Sequence, residues 1–188
     1  VFVDCGANTC RVLRKFLRKF PDFEFYAFEA QPELAEAGAQ VICENPQRRI
    51  EFYNQAVWVK DETLDFFLAT AWGPNYRGGS TLMSGNTRNA SEIDYAQPIQ
   101  VPAIDFSQWL ARNVAEDDYV IVKMDIEGAE YDVLEKVLAD GHERLIDELI
   151  VEFHEHMNNA LTRERHDALV KRLRSALRQE CENPRITG

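Results

Sequence analysis

The sequence DYVIVKMDIEGAEYDVLEKVLADG occupies residues 118–141 and indicates the architecture of the chain. Its residues 119–122 are continuously apolar, which is typical of a parallel strand covered on both faces. The run ends at Asp125, and a helical pattern follows that has acidic residues in its first turn and Gly141 at its end. Both features favour a helix, because acids complement the helix dipole and glycine often ends a helix. Residues 118–141 therefore predict a buried strand, a turn and a helix.

The same unit recurs on both sides of this stretch. VFVDCGANTC at residues 1–10 predicts a strand and a turn, and apolar residues at helical spacing follow it. Asp105 and Gln108 resemble a capping box that opens a helix. Strands are predicted at 1–4, 23–29, 48–58, 63–70, 99–104, 118–125 and 146–154, and helices at 11–20, 34–43, 106–114, 126–141 and 162–179. We expect the strand at 63–70 to pair with the one before it as a hairpin or an edge. This order predicts an α/β fold, a mostly parallel sheet with helices on both faces.

Composition excludes some classes of function. The chain has 188 residues and a net charge of −11, with a sequence pI near 4.8, so a surface for nucleic acid is not expected. No apolar run approaches the roughly 18 residues of a membrane helix. The four cysteines are scattered and form no CxxC pair, which favours reduced thiols and a cytoplasmic location.

Polar residues stand where the predicted strands end, and ligands of parallel sheets bind at that edge. These residues are Asp4, Glu29, Asn54, Asp125 and His154. Glu29 follows Gly6 by 23 residues, the spacing at which such folds hold an adenosine ribose. Each acid also has a simpler interpretation as a cap or a polar strand end, and Glu130 and Asp132 could belong to a helix surface.

The turn after the first strand tests a dinucleotide site. A pyrophosphate requires G-x-G-x-x-G, whereas residues 6–11 are Gly-Ala-Asn-Thr-Cys-Arg and lack two of the three glycines. The ligand expected is therefore adenosine without a diphosphate, and S-adenosyl-L-methionine is a common metabolite of that kind. A dinucleotide-dependent oxidoreductase and a catalytically silent Rossmann-like binding module remain alternatives.

Six segments together resemble the FkbM family of class I S-adenosylmethionine-dependent methyltransferases. They are VFVDCGANTC, FYAFEAQPEL, NQAVW, GGSTL, VKMDIEGAEYDVLEKV and IDELIVEFH. The resemblance implies a Rossmann-like fold and methylation, most often of an oxygen on a small molecule or saccharide. It also implies a cofactor site in which Asp4, Gly6 and Asn8 line the methionine end, Glu29 holds the ribose, and Asn54, Gln55 and Ala56 border the adenine. Asp125 is a further candidate for cofactor binding. Cys10 stands where the family usually has glycine. We expect one domain over residues 1–188, with an N-terminal covering helix and the last strands of the sheet outside this sequence.

Methyl transfer to a hydroxyl requires a base close to the methyl group. The candidate catalytic residues are Asp125, Glu127 and His154. The period of two along a strand places Glu152, His154 and His156 on one face, so these residues and Asp125 leave open a divalent metal site. No metal ligand is assigned from the pattern. Substrate selection is expected from the irregular loop at 72–89, where Trp72 and Tyr76 could stack on a ring and Arg77 could meet a carboxylate.

Overall fold

The computed structural model describes residues 1–70, 78–84, 92–157 and 161–177. The predictions for Trp72, Tyr76 and Arg77 lie outside these residues. The strands are β1 (Phe2–Cys5), β2 (Phe25–Phe28), β3 (Ile50–Tyr53), β4 (Ala56–Trp58), β5 (Glu62–Phe66), β6 (Ile99–Asp105), β7 (Ile121–Met124) and β8 (Glu148–Val151). The α-helices are α1 (Arg11–Lys19), α2 (Ala35–Glu44), α3 (Phe106–Asn113), α4 (Glu130–Asp140) and α5 (Arg163–Ala176).

Five strands form the central sheet in the order β3-β2-β1-β7-β8, and all of its strand pairs are parallel. The predicted α/β fold with a mostly parallel sheet is confirmed. Strand order reverses between β1 and β7, because the chain returns to the other side of β1 after β3. The carboxyl ends of these two strands therefore flank a crevice, the usual ligand position in such sheets.

Helices cover both faces of this sheet, as predicted. Phe2 and Ile121 pack with Leu13 and Leu17 of α1 and with Val41 of α2 on one face. Neighbouring strand residues point to the other face, because side chains alternate along a strand. There, Val3 and Cys5 of β1 share a core with residues of α3, α4 and α5 that include Phe106, Leu134 and Leu169.

The strand predicted at 48–58 is two strands, and this prediction was wrong. β3 belongs to the central sheet, whereas β4 joins β6 and β5 in a second sheet of order β4-β6-β5. The break falls at Asn54, whose Nδ2 donates to the carbonyl oxygens of Glu29 at 2.8 Å and Gln31 at 3.2 Å. β5 lies at the edge of this second sheet and pairs antiparallel with β6, which separates it from β4, so the edge alternative is confirmed and the hairpin is not formed.

Two further boundaries differ from the prediction. β8 ends at Val151, and residues 155–157 form a 3₁₀ turn, so Glu152, His154 and His156 do not share a strand face. α4 begins at Glu130 instead of residue 126, because Glu127 and Gly128 have positive φ angles of 54° and 107° and form a turn. Gly141 ends α4 in the left-handed conformation, as expected.

Within the part of the chain that the structure describes, no helix has the length and apolar character needed to cross a membrane.

Candidate active site

Two adjoining cavities lie at the carboxyl ends of β1, β2 and β7. The first cavity is lined by Gly6, Asn8, Phe28, Glu29, Ala30, Gln31, Gln55, Ala56, Val57, Phe66, Gly78, Gly79, Ser80, Leu82, Asp125, Ile126 and Glu127. The second cavity is lined by Gly6, Ala7, Asn8, Thr9, Arg11, Val12, Ala69, Gly78, Gly79, Glu92, Ile93, Lys123, Asp125, Glu127, Glu152, His154, His156 and Met157. Because Gly6, Asn8, Asp125 and Glu127 border both cavities, the two form one cleft.

The turn after β1 brings the backbone to the centre of this cleft. Gly6 has a φ of +80°, and a Cβ atom there would lie 1.9 Å from the carbonyl oxygen of Asp125. Only glycine fits this approach of β1 to β7. Cys10 also has a positive φ, 59°, at the start of α1. In the family that this sequence resembles, the usual glycine at this position is therefore explained by its left-handed backbone conformation more than by the size of its side chain.

Glu29 places a buried carboxylate in the first cavity. Its Oε2 accepts a hydrogen bond from the Asn8 backbone at 2.7 Å, and its Oε1 accepts one from the Gln31 backbone at 2.9 Å. Burial raises the pKa of Glu29, although the two backbone hydrogen bonds oppose that rise. The hydrogen bonds hold the carboxylate at the end of β2, and its remaining lone pairs can accept from a ligand.

Gln31 adds an acceptor that the sequence analysis did not single out. It is 5% exposed, lines the first cavity, and its Oε1 has no hydrogen-bond partner among the described residues. Buried polar atoms are normally satisfied, so a ligand donor fits here. The first cavity also has an apolar part, with Phe28, Phe66 and Leu82 among its lining. A flat heterocycle with polar edges suits such a lining.

Asn54 and Asp4 take positions different from those expected. Neither residue lines the cleft. Asn54 instead holds the backbone on either side of Ala30 through the two hydrogen bonds described above. Asp4 is fully buried beneath the Gly6 turn, and its Oδ1 lies 3.3 Å from Nζ of Lys123. The two residues therefore support the binding residues instead of forming the surface of the site.

Lys123 joins two of the strand ends. Its Nζ donates to the carbonyl oxygen of Gly6 at 2.8 Å and lies 3.3 Å from Oδ2 of Asp125. Burial opposes its charge, but Asp4 and Asp125 outweigh that effect and raise the pKa of Lys123. Burial is also the main cause that raises the pKa of Asp4, to about 6. In the sequence, the signal for the ion pair between Lys123 and Asp4 was a lysine inside an otherwise apolar strand.

The three predicted catalytic residues, Asp125, Glu127 and His154, lie together at the second cavity. We call them the His154 cluster. Nε2 of His154 is 3.4 Å from Oε2 of Glu127 and 3.8 Å from Oδ1 of Asp125. Burial would lower the pKa of His154, but its hydrogen bond to Glu130 and the nearby carboxylates raise it to about 9.

Glu130 fixes the orientation of the His154 ring. This acid is fully buried, so the interpretation as helix surface was wrong for it. Its Oε1 lies 2.9 Å from Nδ1 of His154 and accepts from the Ile126 backbone at 2.9 Å, and its Oε2 accepts from the Gly128 backbone at 3.0 Å. Because this carboxylate accepts at both oxygens, we infer that Nδ1 of His154 donates and that Nε2 faces the cleft.

Glu127 links the cluster to the segment at 78–84. Its Oε1 accepts from the Gly79 backbone at 2.9 Å, and its backbone oxygen accepts from the Thr81 hydroxyl at 2.6 Å. Burial raises the pKa of Glu127. These hydrogen bonds hold the residue in a conformation with positive φ that is unfavourable for a non-glycine residue.

Of the predicted site residues, Gly6, Asn8, Glu29, Gln55, Ala56, Asp125, Glu127 and His154 line the cleft. The metal alternative takes a different form: Glu127 stands near His154 and Asp125, and the three offer ligand atoms within 4.8 Å of one another. Glu152 lies 3.9 Å from Nε2 of His154 and is mostly exposed.

Comparisons with known proteins identify one family. The family model of the methyltransferase FkbM domain matches residues 4–181. Methyltransferase 1 of Beauveria bassiana (strain ARSEF 2860) is 30% identical in a match that covers 80% of this chain and 63% of that protein, so the chain spans less than two thirds of its relative. The crystal structure of methyltransferase FkbM from Methylobacillus flagellatus KT shares the fold, with a TM-score of 0.54 and 13% identity over 94% of this chain and 37% of that one. The chain therefore belongs to the FkbM methyltransferase family.

Proposed function

We propose that this chain binds S-adenosyl-L-methionine and catalyses methylation of a hydroxyl oxygen on a small molecule or saccharide. The observation that supports the cofactor best is the buried Glu29 carboxylate at the end of β2, and Oε1 of the neighbouring Gln31 has no hydrogen-bond partner among the described residues. A ribose has two hydroxyl donors, and an acid at this position is the usual acceptor for them.

The residues present fit this cofactor. Glu29 and Gln31 would accept from the ribose and from polar edges of the nucleoside, and Gln55 and Ala56 would border the base. Gly6 borders both cavities. The bound cofactor supplies a methyl group on a positively charged sulfonium.

In this proposal, the methionine end of the cofactor lies in the part of the cleft that borders both cavities. Asn8 and Asp125 border that part. Asp4 contributes indirectly, because it lies next to Lys123, whose Nζ holds the Gly6 carbonyl oxygen. Asp125 then remains as the acid that faces an ammonium group.

The second cavity is the proposed acceptor site. Its lining is rich in polar side chains, with Glu92, Glu152 and His156 among them, which suits a hydroxyl-bearing acceptor. The acceptor oxygen must lose a proton when it takes the methyl group, and the His154 cluster provides the groups that accept it.

The acidic composition supports a small-molecule partner over a nucleic acid. A cytoplasmic location is part of the proposal, and the absence of a disulfide at Cys5, Cys10 and Cys43 supports it.

Calorimetric titration with S-adenosylhomocysteine tests the cofactor site. Glu29→Ala should weaken binding by about 10- to 100-fold, because hydrogen bonds to a charged acceptor contribute about 1.5 to 3 kcal/mol. Glu33→Ala is the matched control, since Glu33 is exposed, follows the same strand and does not line the cleft. Thermal unfolding of each variant checks that it folds. Equal affinity of Glu29→Ala and wild type would remove Glu29 from the site.

The proposal assigns cofactor binding and catalysis to different residues, and a transfer assay tests the second assignment. With a methyl-labelled cofactor and a panel of sugars and phenols, we expect label transfer to at least one acceptor. His154→Ala should bind S-adenosylhomocysteine like wild type and lose about 10²- to 10⁴-fold in transfer, the usual contribution of acid–base catalysis. Full transfer by this variant would exclude His154 from the chemistry.

A further inference from the structure

We propose that Asp125, Glu127 and His154 form a binding site for a divalent transition-metal cation, for which Mn²⁺ is the probe. Each residue offers one ligand atom, and these atoms lie within 4.8 Å of one another. They come from two segments that follow β7 and β8 and meet at the second cavity. Cation binding itself is independent of the proposed function, whereas its use in methyl transfer rests on it.

The spacing at His154 suits a shared cation better than a hydrogen bond. Metal bonds of about 2.1 Å place neighbouring ligand atoms about 3.0 to 3.4 Å apart. Nε2 of His154 is 3.4 Å from Oε2 of Glu127, beyond the range of about 2.7 to 3.2 Å for N–H···O hydrogen bonds. The 3.8 Å to Oδ1 of Asp125 needs only a small rotation of that half-buried carboxylate to close around an ion.

The imidazole has the support that metal-binding histidines have. Such histidines usually donate their second ring nitrogen to a carboxylate, which fixes the ring and makes the ligand nitrogen more basic. Glu130 fills this role at 2.9 Å from Nδ1, and the Ile126 and Gly128 backbones hold it in place. Nε2 is therefore aimed at the two cleft carboxylates.

The charge at the site also favours a cation. Four carboxylates lie within 4.0 Å of the His154 ring nitrogens. Lys123 lies near Oδ2 of Asp125, whereas Oδ1 is the atom that faces His154, so the lysine does not fill the position between the ligands. The carboxylates of Asp125 and Glu127 both face Nε2, so this position favours a positive charge.

The ligand set indicates the class of ion. Two carboxylates and one imidazole suit Mn²⁺ or Zn²⁺, and the set has no thiolate. Three protein ligands leave positions open on the cavity side, as in catalytic metal sites. If the proposed function holds, the acceptor hydroxyl would occupy one of these positions.

Calorimetric titration of the EDTA-treated full chain with MnCl₂, without cofactor or acceptor, tests the site. We expect saturable binding of one ion per chain. His154→Ala and Glu127→Gln should each weaken it at least tenfold, and Glu130→Gln should weaken it about 10- to 100-fold through the orientation of His154. Glu92→Gln, which changes an acid of the same cavity outside the ligand set, should bind Mn²⁺ like wild type.

A spectroscopic measurement on the wild-type protein tests the site even where a variant does not fold. Electron spin-echo modulation of Mn²⁺ bound to wild type should show coupling to an imidazole nitrogen. The proposal is wrong if Mn²⁺ does not bind, if no nitrogen coupling appears, or if Glu92→Gln weakens binding as much as His154→Ala. Because cofactor is absent, none of these outcomes bears on the binding of S-adenosylhomocysteine.

Discussion

At the scale of single residues, one lysine explains how two acids coexist at neighbouring strand ends. Lys123 lies between Asp4 and Asp125 and also holds the Gly6 carbonyl oxygen. A buried charge without a partner is costly, so removal of Lys123 would leave both acids without a counter-charge. The shape of the Gly6 turn, and with it the cleft, therefore depends on a charge that does not itself have to touch a ligand.

Asp4 makes folding stability depend on pH. Burial raises its pKa to about 6 in the folded protein, above the usual value of 3.8. Below pH 3.8 the acid is protonated in both states. Between these values the unfolded chain gives up the proton first, so unfolding becomes more favourable as pH rises, until both states are ionised. The contribution of Asp4 to the free energy of unfolding should thus fall by about 2 to 3 kcal/mol between pH 4 and pH 7.

Urea unfolding of wild type and Asp4→Asn across this range isolates the effect. The variant lacks the titrating group, so the difference between the two stabilities should change by about that amount. A difference that stays constant from pH 4 to pH 7 would mean that Asp4 ionises alike in both states.

At the scale of elements, close packing of α2 on β3 depends on one glycine. A Cβ atom at Gly38 would lie 2.3 Å from the Phe52 ring. Glycine normally weakens a helix by about 1 kcal/mol relative to alanine. Its presence in α2 is therefore explained by the ring that fills the space beside it, which brings the helix close to the edge of the central sheet.

Gly38→Ala should consequently destabilise the protein by about 1 to 2 kcal/mol, because the cost of overpacking exceeds the gain in helix propensity. In a Phe52→Ala background the same substitution should become stabilising, since the ring is gone. Chemical denaturation of the four proteins gives the coupling energy. Stabilisation by Gly38→Ala in the wild-type background would contradict this account of the packing.

At the scale of the whole molecule, two sheets cooperate to build the cleft. The central sheet provides the strand ends with Gly6, Glu29 and Asp125, and the second sheet provides Ala56, Val57 and Phe66. A ligand that enters between them contacts both sheets at once. Binding of a ligand in the cleft should therefore stabilise both sheets together against unfolding.

Thermal stabilisation by a ligand should therefore distinguish S-adenosylhomocysteine from NAD. S-adenosylhomocysteine at 100 times its Kd should stabilise the fold by about 2.7 kcal/mol and raise Tm by about 5 to 11 °C. NAD at the same concentration should leave Tm unchanged, because the turn at residues 6–11 lacks the glycines that a pyrophosphate needs. Differential scanning fluorimetry measures both shifts. A larger shift with NAD would favour an oxidoreductase, and no shift with either would favour a silent binding module.

Local periodicity was sufficient for most of the architecture. Strand and helix patterns at 118–141 depend on neighbours in the chain, and parallel strands with short turns bring their carboxyl ends to one edge. The positions of Glu29, Asp125, Glu127 and His154 along the cleft follow from that rule. The same local patterns failed at Asn54, where one predicted strand is in fact two strands. At this break the side chain of Asn54 donates hydrogen bonds to the backbone that follows β2.

Local sequence patterns were thus sufficient to predict the α/β fold, the family and the edge of the sheet at which the candidate residues lie. The structure was needed to show that Asp4 lies beneath the cleft, that Glu130 is buried against His154, and that Oε1 of Gln31 has no hydrogen-bond partner among the described residues. The physical reason is that burial and hydrogen bonding depend on distances between residues far apart in the chain. Lys123 and Asp4, for example, are brought within 3.3 Å by the pairing of β1 with β7.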